Sequence, residues 1–313
     1  MKKVLITGGY GNLGSWIVAH LSKNKKFDIY VLARKKKELL FEHSFIKCDV
    51  TSLKNCKKAL RNHNFNFVIH LASSNDFFKD NYSEKSILTN ILGTRNLLET
   101  LNLKPIKNFI YFSTFHVYGK NTGIISETTK TNPKNDYAIS HLVAEEYVNF
   151  FNLTQNLPFT ILRLTNGYGC PKDIDSSKWY LLLNDICKSA YENKVIKLNS
   201  NGKSQRDFIW MQDVCTMVEN IVSSPNITFN DTFNLSAEKT FSVLEIANKV
   251  KEAFLITFNN NIDIEINHSD KNNYVSNLEV SSQKLQKLIP FTTKEHFIKE
   301  AINIFKFLKS NSV

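Results

Sequence analysis

The stretch TGGYGNLG, residues 7–14, constrains this chain more than any other segment. It directly follows a short apolar β-branched run, KKVLITG (2–8), and opens a helical pattern, LGSWIVAHLSKN (13–24). Gly8, Gly11 and Gly14 stand three apart. A strand that turns sharply into a helix while its backbone approaches a pyrophosphate has no room for side chains at such positions. The helix N-terminus then aims its free N–H groups at the phosphate charge. A glycine pattern alone is weak evidence; in a strand–turn–helix context opening a βαβ unit it points to a dinucleotide site. Gly8, Gly11, Asn12, Leu13 and Gly14 are the candidate cradle.

The rest of the first half repeats the alternation. DIYVLAR (28–34), FIKCDV (45–50), FNFVIHLA (65–72), KNFIYFST (107–114) and PFTILRLT (158–165) read as strands, and 52–62, 90–101 and 136–152 as helices. Near-continuous apolar strands alternating with helices predict a parallel sheet covered on both faces. Past residue 170 the order loosens, with helices predicted near 178–192, 213–223 and 242–255 and strands at 195–200 and 207–211. The expected fold is α/β, a Rossmann-like doubly wound parallel sheet with a smaller C-terminal substrate-binding lobe. The dinucleotide-binding domain is expected over 1–170, with some later segments returning to it, and the lobe over 171–313.

Charge and cysteines narrow the class. The net charge is +11, but the lysines are dispersed apart from Arg34–Lys37, and no run interleaves basic and aromatic residues. Nucleic acid is therefore not the expected partner. No apolar run reaches membrane-spanning length, and MKKVLITGG enters a strand pattern without the apolar stretch of a secretory signal. Five scattered cysteines read as reduced thiols in a cytoplasmic protein, and no cluster of metal ligands appears.

The end of the second strand bears on the cofactor. An acid there would bond the adenosine 2′-hydroxyl and favour NAD; a basic residue tolerates a 2′-phosphate. This chain has Ala33 and Arg34 followed by three lysines, and its nearest acid, Asp28, begins that strand. Arg34 alone leans towards NADP, which leaves NADP open. Asp49 and Val50, after the third strand, are placed to meet the adenine amine.

TGGYGNLG, Asp49-Val50, VIHLAS, NILGTRNLLE, STFHVYG, DYAIS and RLTNGYG occur in this order. With them the chain resembles the extended short-chain dehydrogenase/reductases that act on nucleotide-activated sugars. The likeness continues through GKSQRDFIWMQDV (202–214) and FNLSAEKTFSVLEIA (233–247). Within that family it is similar to the epimerase/dehydrogenase branch acting on hexoses and heptoses carried on UDP or GDP, the GDP-heptose 4-dehydrogenases above all. The resemblance implies NAD as cofactor and a homodimer through helices 90–101 and 136–152. It implies that Leu71 and Ala72 line the cofactor. Thr114 takes the place of the hydroxyl that bonds the reacting oxygen, and Tyr137 that of the general base. Arg206 matches the arginine that meets the substrate diphosphate, Asn166 an asparagine near diphosphate and sugar, and Asn90 a structural asparagine.

The residue four after the tyrosine is normally a lysine that bonds the nicotinamide ribose; here it is His141. Positions 137 and 141 share a helix face, so His141 reaches what Tyr137 serves. A free phenol has a pKa near ~10, and a lysine about 5 Å away would supply roughly 3 kcal/mol towards ionising it. Histidine, with an unperturbed pKa near ~6.5, supplies that charge only in part.

Sugar-nucleotide 4,6-dehydratases of this family carry acids just after the active-site threonine. Here those positions are Phe115, which moves no proton, and His116, expected as a packed, hydrogen-bonded residue. Dehydration is disfavoured. What remains is oxidation of a sugar hydroxyl at C4 to a 4-keto sugar nucleotide, or epimerisation through the same groups. A catalytically inactive NAD(P)-binding regulator is the reading from another class.

Overall fold

In a computed structural model, which describes residues 1–74, 82–102, 104–173, 178–224, 229–267 and 277–311, the apolar runs pair edge to edge. Seven strands form one sheet in the order Asp231–Leu235, Phe159–Leu164, Asn108–Thr114, Phe67–His70, Lys2–Thr7, Phe27–Ala33, Ser44–Lys47. Every neighbouring pair is parallel. The first three strands build outward on one side, and the next four build outward on the other. The order therefore reverses between Lys2–Thr7 and Phe67–His70, and a crevice opens beyond the carboxyl ends of those two strands. The glycine turn leaves one strand at that point, and Leu71 and Ala72 leave the other.

Alternate residues of each strand serve opposite faces. Val4 and Ile6 pack under the Asn12–Leu21 and Met211–Ser223 helices. Leu5 and Val68 join the core beneath Leu53–Leu60, Gly93–Leu101 and Asp136–Gln155. A third core lies among Leu182–Asn193, Val243–Phe258 and Phe297–Asn311, where Phe254, Phe297 and Phe305 are almost wholly buried. Ser242 and Glu245 form a capping box at the start of the second of these helices.

Several boundaries differ from the sequence-based expectation. The helix expected near 178–192 runs Leu182–Asn193. The one expected at 90–101 is preceded by a turn of helix, Tyr82–Ser86, and a wider π-helical segment, Ile87–Leu92. Asp231–Leu235, from beyond residue 170, is an edge strand of the main sheet. The Phe297–Asn311 helix and the short parallel pair Gly123–Ile125 with Leu278–Val280 were not anticipated.

Candidate active site

Local backbone geometry explains the glycines. Gly8 adopts φ +69°, and a Cβ there would lie 2.8 Å from the Ala72 nitrogen. Gly11 N–H donates to the Gly8 carbonyl at 2.9 Å, and a Cβ on Gly14 would lie 2.1 Å from that same oxygen. The turn closes only with glycine at both ends. Asn12, at the first turn of the helix, is 8% exposed, and neither side-chain polar atom has a hydrogen-bond partner among the described residues. A buried amide left so costs about 1–3 kcal/mol, which a polar ligand in the crevice would offset. The cradle thus fits a dinucleotide on its own geometry. Leu71 and Ala72 form its far wall, their N–H groups donating to Thr7 Oγ1 at 3.3 and 3.2 Å. Asp49 lines the same crevice while its Oδ1 accepts from Thr51 N–H and hydroxyl; Val50 is buried beside it. Arg34 stands exposed at the rim.

The candidate reacting groups come from two neighbouring elements. Asn135 caps the Asp136–Gln155 helix by accepting from Ala138 N–H at 2.9 Å, which sets Tyr137 in the first turn and His141 in the second. Thr114 ends its strand and caps a 3₁₀ turn, Phe115–Tyr118, by accepting from His116 N–H at 3.3 Å. Thr114 and Tyr137 line the cleft together; burial raises the Tyr137 phenol to about 12, while the nearby Thr114 hydroxyl lowers it and Tyr180, another cleft residue, raises it further.

His141 departs from expectation. It is 3% exposed, and burial, with smaller contributions from His70 and His116, lowers its pKa to about 3. At neutral pH it is an uncharged imidazole rather than a partial cation. Its ring meets Tyr137 edge-on at 4.6 Å, its Nδ1 lies 2.8 Å from the Tyr111 hydroxyl, and its Nε2 lies 3.1 Å from Ser73 Oγ. One turn on, Glu145 is buried against Arg163, with Nη2 to Oε2 at 2.6 Å, and accepts from Ser113. The helix that carries Tyr137 and His141 therefore also carries a core ion pair. Asn90 is structural: its Oδ1 accepts from Ser74 N–H at 2.7 Å and its Nδ2 donates to Ser140 at 2.9 Å. His116 is the other correction. Rather than packing away, it is exposed to the cleft with its ring 6.2 Å from that of Tyr137, while Phe115 is buried. Enclosure by the cleft walls and the charge of Arg206 lower the His116 pKa.

The buried imidazoles carry a stability consequence. His70, held between Thr7 at 2.6 Å and Thr94 at 2.9 Å, also has a pKa lowered to about 3 by burial. Both histidines are neutral when folded, whereas in the unfolded chain they take up protons below pH ~6.5. Stability is complete above that pH and falls as pH drops towards 3. At pH 5 the loss is about 2 kcal/mol for each, or roughly 4 kcal/mol together. Denaturant unfolding at pH 7.5 and pH 5 measures it; equal midpoints would contradict the neutral pair.

The glycine cradle, Thr114, Tyr137 and His141 open into one cleft of about 1300 Å³. A single small-molecule site seldom exceeds about 1,000 Å³, so there is room for two ligands. Among the described residues its lining includes Arg34, Lys85, Lys120, Lys134, Lys178 and Arg206 against one carboxylate, Asp49. Arg206 faces the cleft beside Asn166, whose Nδ2 donates to the Asp207 carbonyl at 2.8 Å and so helps fix the arginine's strand. Asp207 itself is buried, raised to about 6 by that burial, and accepts from Thr165 and from the Ala237 and Lys239 N–H groups. Tyr180 and Ser73 are cleft residues that sequence reasoning missed: Tyr180 sits in no recognisable motif, and Ser73 ends the VIHLAS motif without being singled out in it. No group of three or more metal-ligating side chains and no membrane-crossing helix occurs among the described residues, and the cysteines are free thiols.

Known proteins resemble this chain. A dTDP-D-glucose 4,6-dehydratase of Dictyostelium discoideum is 30% identical over 281 residues, covering 80% of this chain and 62% of that protein. This chain thus spans under two thirds of that relative. A GDP-6-deoxy-D-talose 4-dehydrogenase of Aggregatibacter actinomycetemcomitans is 27% identical over 248 residues, covering 78% of this chain and 77% of that one. In three dimensions the fold matches UDP-glucuronic acid 4-epimerase of Bacillus cereus, solved with UDP-glucuronic acid and NAD. The TM-score is 0.82 at 19% identity, covering 99% of this chain and 100% of that one. The NAD dependent epimerase/dehydratase family model matches residues 4–236, a span that holds the glycine cradle, the Thr114–Tyr137 pair and Arg206 together, and the chain belongs to that family.

Proposed function

We propose that this protein oxidises a secondary hydroxyl, at C4, of a nucleotide-activated sugar, giving a 4-keto sugar nucleotide, with NAD as cofactor. The observation that carries this is that Thr114 and Tyr137 line the same cleft as the glycine cradle, with the threonine hydroxyl close enough to favour the ionised phenol. NAD, when bound, supplies the hydride acceptor and a positive ring charge. Gly8, Gly11, Asn12, Leu13 and Gly14 hold its diphosphate, Asp49 and Val50 its adenine, and Leu71 and Ala72 the wall beneath. Thr114 orients the sugar hydroxyl. Tyr137 takes the proton as the C4–H bond breaks with its electron pair. His141 offers the ribose a neutral N–H. Arg206 and Asn166 face the sugar nucleotide's diphosphate. Two diphosphates bring about four negative charges into the cleft, which its basic lining complements.

In this reading residues 1–170 hold the dinucleotide. The later segments hold the substrate, apart from those that return to the main sheet. The substrate is GDP-heptose or a GDP- or UDP-hexose, the product serves surface polysaccharide synthesis, and the protein works in the cytoplasm. Dehydration is disfavoured because Phe115, buried in its own small core, moves no proton. A second copy is the partner of the face formed by Ile139, Phe150 and Leu153, exposed on one side of the Asp136–Gln155 helix beside exposed Ile87 and Leu88. The inner residues Leu97, Leu98 and Leu101 are buried in the protomer's own core, so the 90–101 helix contributes little to that face.

Incubation with NAD and a panel of sugar nucleotides in heavy water, read by mass spectrometry, tests the reaction. Loss of two hydrogens with NADH formation is expected. Loss of water would replace the reading with dehydration, and an unchanged mass with a new sugar isomer with epimerisation. Dinucleotide binding without any turnover would leave the non-catalytic regulator standing.

A further inference from the structure

Every side chain of the Asn108–Thr114 strand is buried, and Tyr111 is 2% exposed. The only hydrogen bond of its hydroxyl among the described residues goes to His141 Nδ1, at 2.8 Å. The other ring nitrogen, Nε2, lies 3.1 Å from Ser73 Oγ, a cleft residue. A neutral imidazole carries one N–H, which leaves two arrangements. If Nδ1 carries the proton, it donates to the phenol oxygen and the Tyr111 proton is stranded in the core without an acceptor. If the phenol donates to Nδ1, the imidazole proton sits on Nε2, Ser73 Oγ accepts it, and no donor is left over. Stranding one buried donor disfavours the first arrangement by about tenfold or more. Glu145 offers Tyr111 no escape, since its oxygens already receive Ser113 and three contacts from Arg163.

We propose that Tyr111 is a positioning residue that fixes His141 as the Nε2–H tautomer. The imidazole thereby turns a neutral N–H donor towards the cleft wall at Ser73, where the ribose of the dinucleotide is bound. The proposal extends the reading of this cleft as a nicotinamide site, and it accounts for how an imidazole serves where an ammonium would be charged. Tyr111 touches neither substrate nor cofactor; it acts through His141.

Nitrogen-15 NMR of the imidazole rings in the dinucleotide-free protein decides it, with the His141 signals identified by their loss in His141→Asn. Wild type is expected to show a bare, hydrogen-bonded Nδ1 and a protonated Nε2. In Tyr111→Phe the two nitrogens are expected to move towards a tautomer average, and NAD affinity by calorimetry to fall about fivefold or more. A protonated Nδ1 in wild type, or an unshifted His141 spectrum in Tyr111→Phe, overturns the proposal. If Tyr111→Phe does not fold, the wild-type spectrum alone decides between the two tautomers. A wild type with the expected tautomer that binds no NAD would refute the nicotinamide reading and leave the tautomer assignment standing.

Discussion

Tyr137→Phe is expected to lose about 10³-fold or more in sugar-nucleotide oxidation while binding NAD within about twofold of wild type, since a positioned base contributes up to about 10⁴-fold. The phenol is the proposed base. The threonine hydroxyl beside it is too weak an acid to replace it, and His141 is neutral and engaged by Tyr111 and Ser73. The lost atom is one hydroxyl, so little binding should change. The pH profile carries the same argument further. With the phenol raised to about 12 in the free protein and an uncharged imidazole at position 141, a bound cofactor ring would add the positive charge that a lysine there would have given. One charge about 5 Å away at an effective dielectric of about 20 lowers the phenol by roughly two units, to about 10. Wild-type kcat should therefore climb close to tenfold per pH unit from pH 7 to 9, with no plateau in that range. A Tyr137→Phe enzyme within tenfold of wild type, or a profile flat above pH 7, would remove Tyr137 from the chemistry.

Much of this is legible in the sequence alone, and the reasons differ by residue. The glycine cradle is legible because a positive φ and a backbone-to-backbone approach are written directly as missing side chains. The sheet strands are legible because burial on both faces makes them continuous apolar runs. That same continuity hides Tyr111: in NFIYFST no alternation separates a packed phenol from one that positions a neighbour. Glu145 is hidden because an acid on a long helix ordinarily faces water, yet it lies four residues past His141, on the side the helix turns to the core. Its partner Arg163 sits in a strand that reads as apolar. The depth of His141 is not legible either, since a four-residue spacing fixes a helix face but not what covers that face. Asp231–Leu235 pairs with a strand some seventy positions earlier, and its DTFNL pattern carries no periodic signal of its own. The Phe297–Asn311 helix does carry one: Phe297, Ala301, Ile304 and Phe305 recur at helical spacing and are all buried.

Gly14→Ala is expected to abolish measurable NAD binding, a loss of about 100-fold or more, and to lower the melting temperature as well. The added methyl would stand 2.1 Å from the Gly8 carbonyl oxygen and 2.8 Å from Gly9 Cα, both backbone atoms that no rotamer change can move. The Gly8 carbonyl also holds Gly11 N–H at 2.9 Å, so relief on one side opens the turn and on the other unwinds the helix start. Either movement displaces the N–H groups that the cradle offers to a diphosphate, and their alignment is what makes a helix N-terminus bind an anion. Overpacking of this kind costs about 1–3 kcal/mol. At about 2–4 °C per kcal/mol for a chain of this size, that is a fall of roughly 2–12 °C. Gly167→Ala is the matched control for stability: its methyl would meet Met211 side-chain atoms at 3.7 Å and Leu164 Cδ2 at 4.0 Å, ordinary contacts, so its melting temperature should stay near wild type. The decisive comparison is melting with and without NAD. Wild type should gain several degrees from saturating cofactor and Gly14→Ala none. A Gly14→Ala protein that gains as much as wild type would show that the cofactor does not use this turn, and the cradle would then be a structural feature alone.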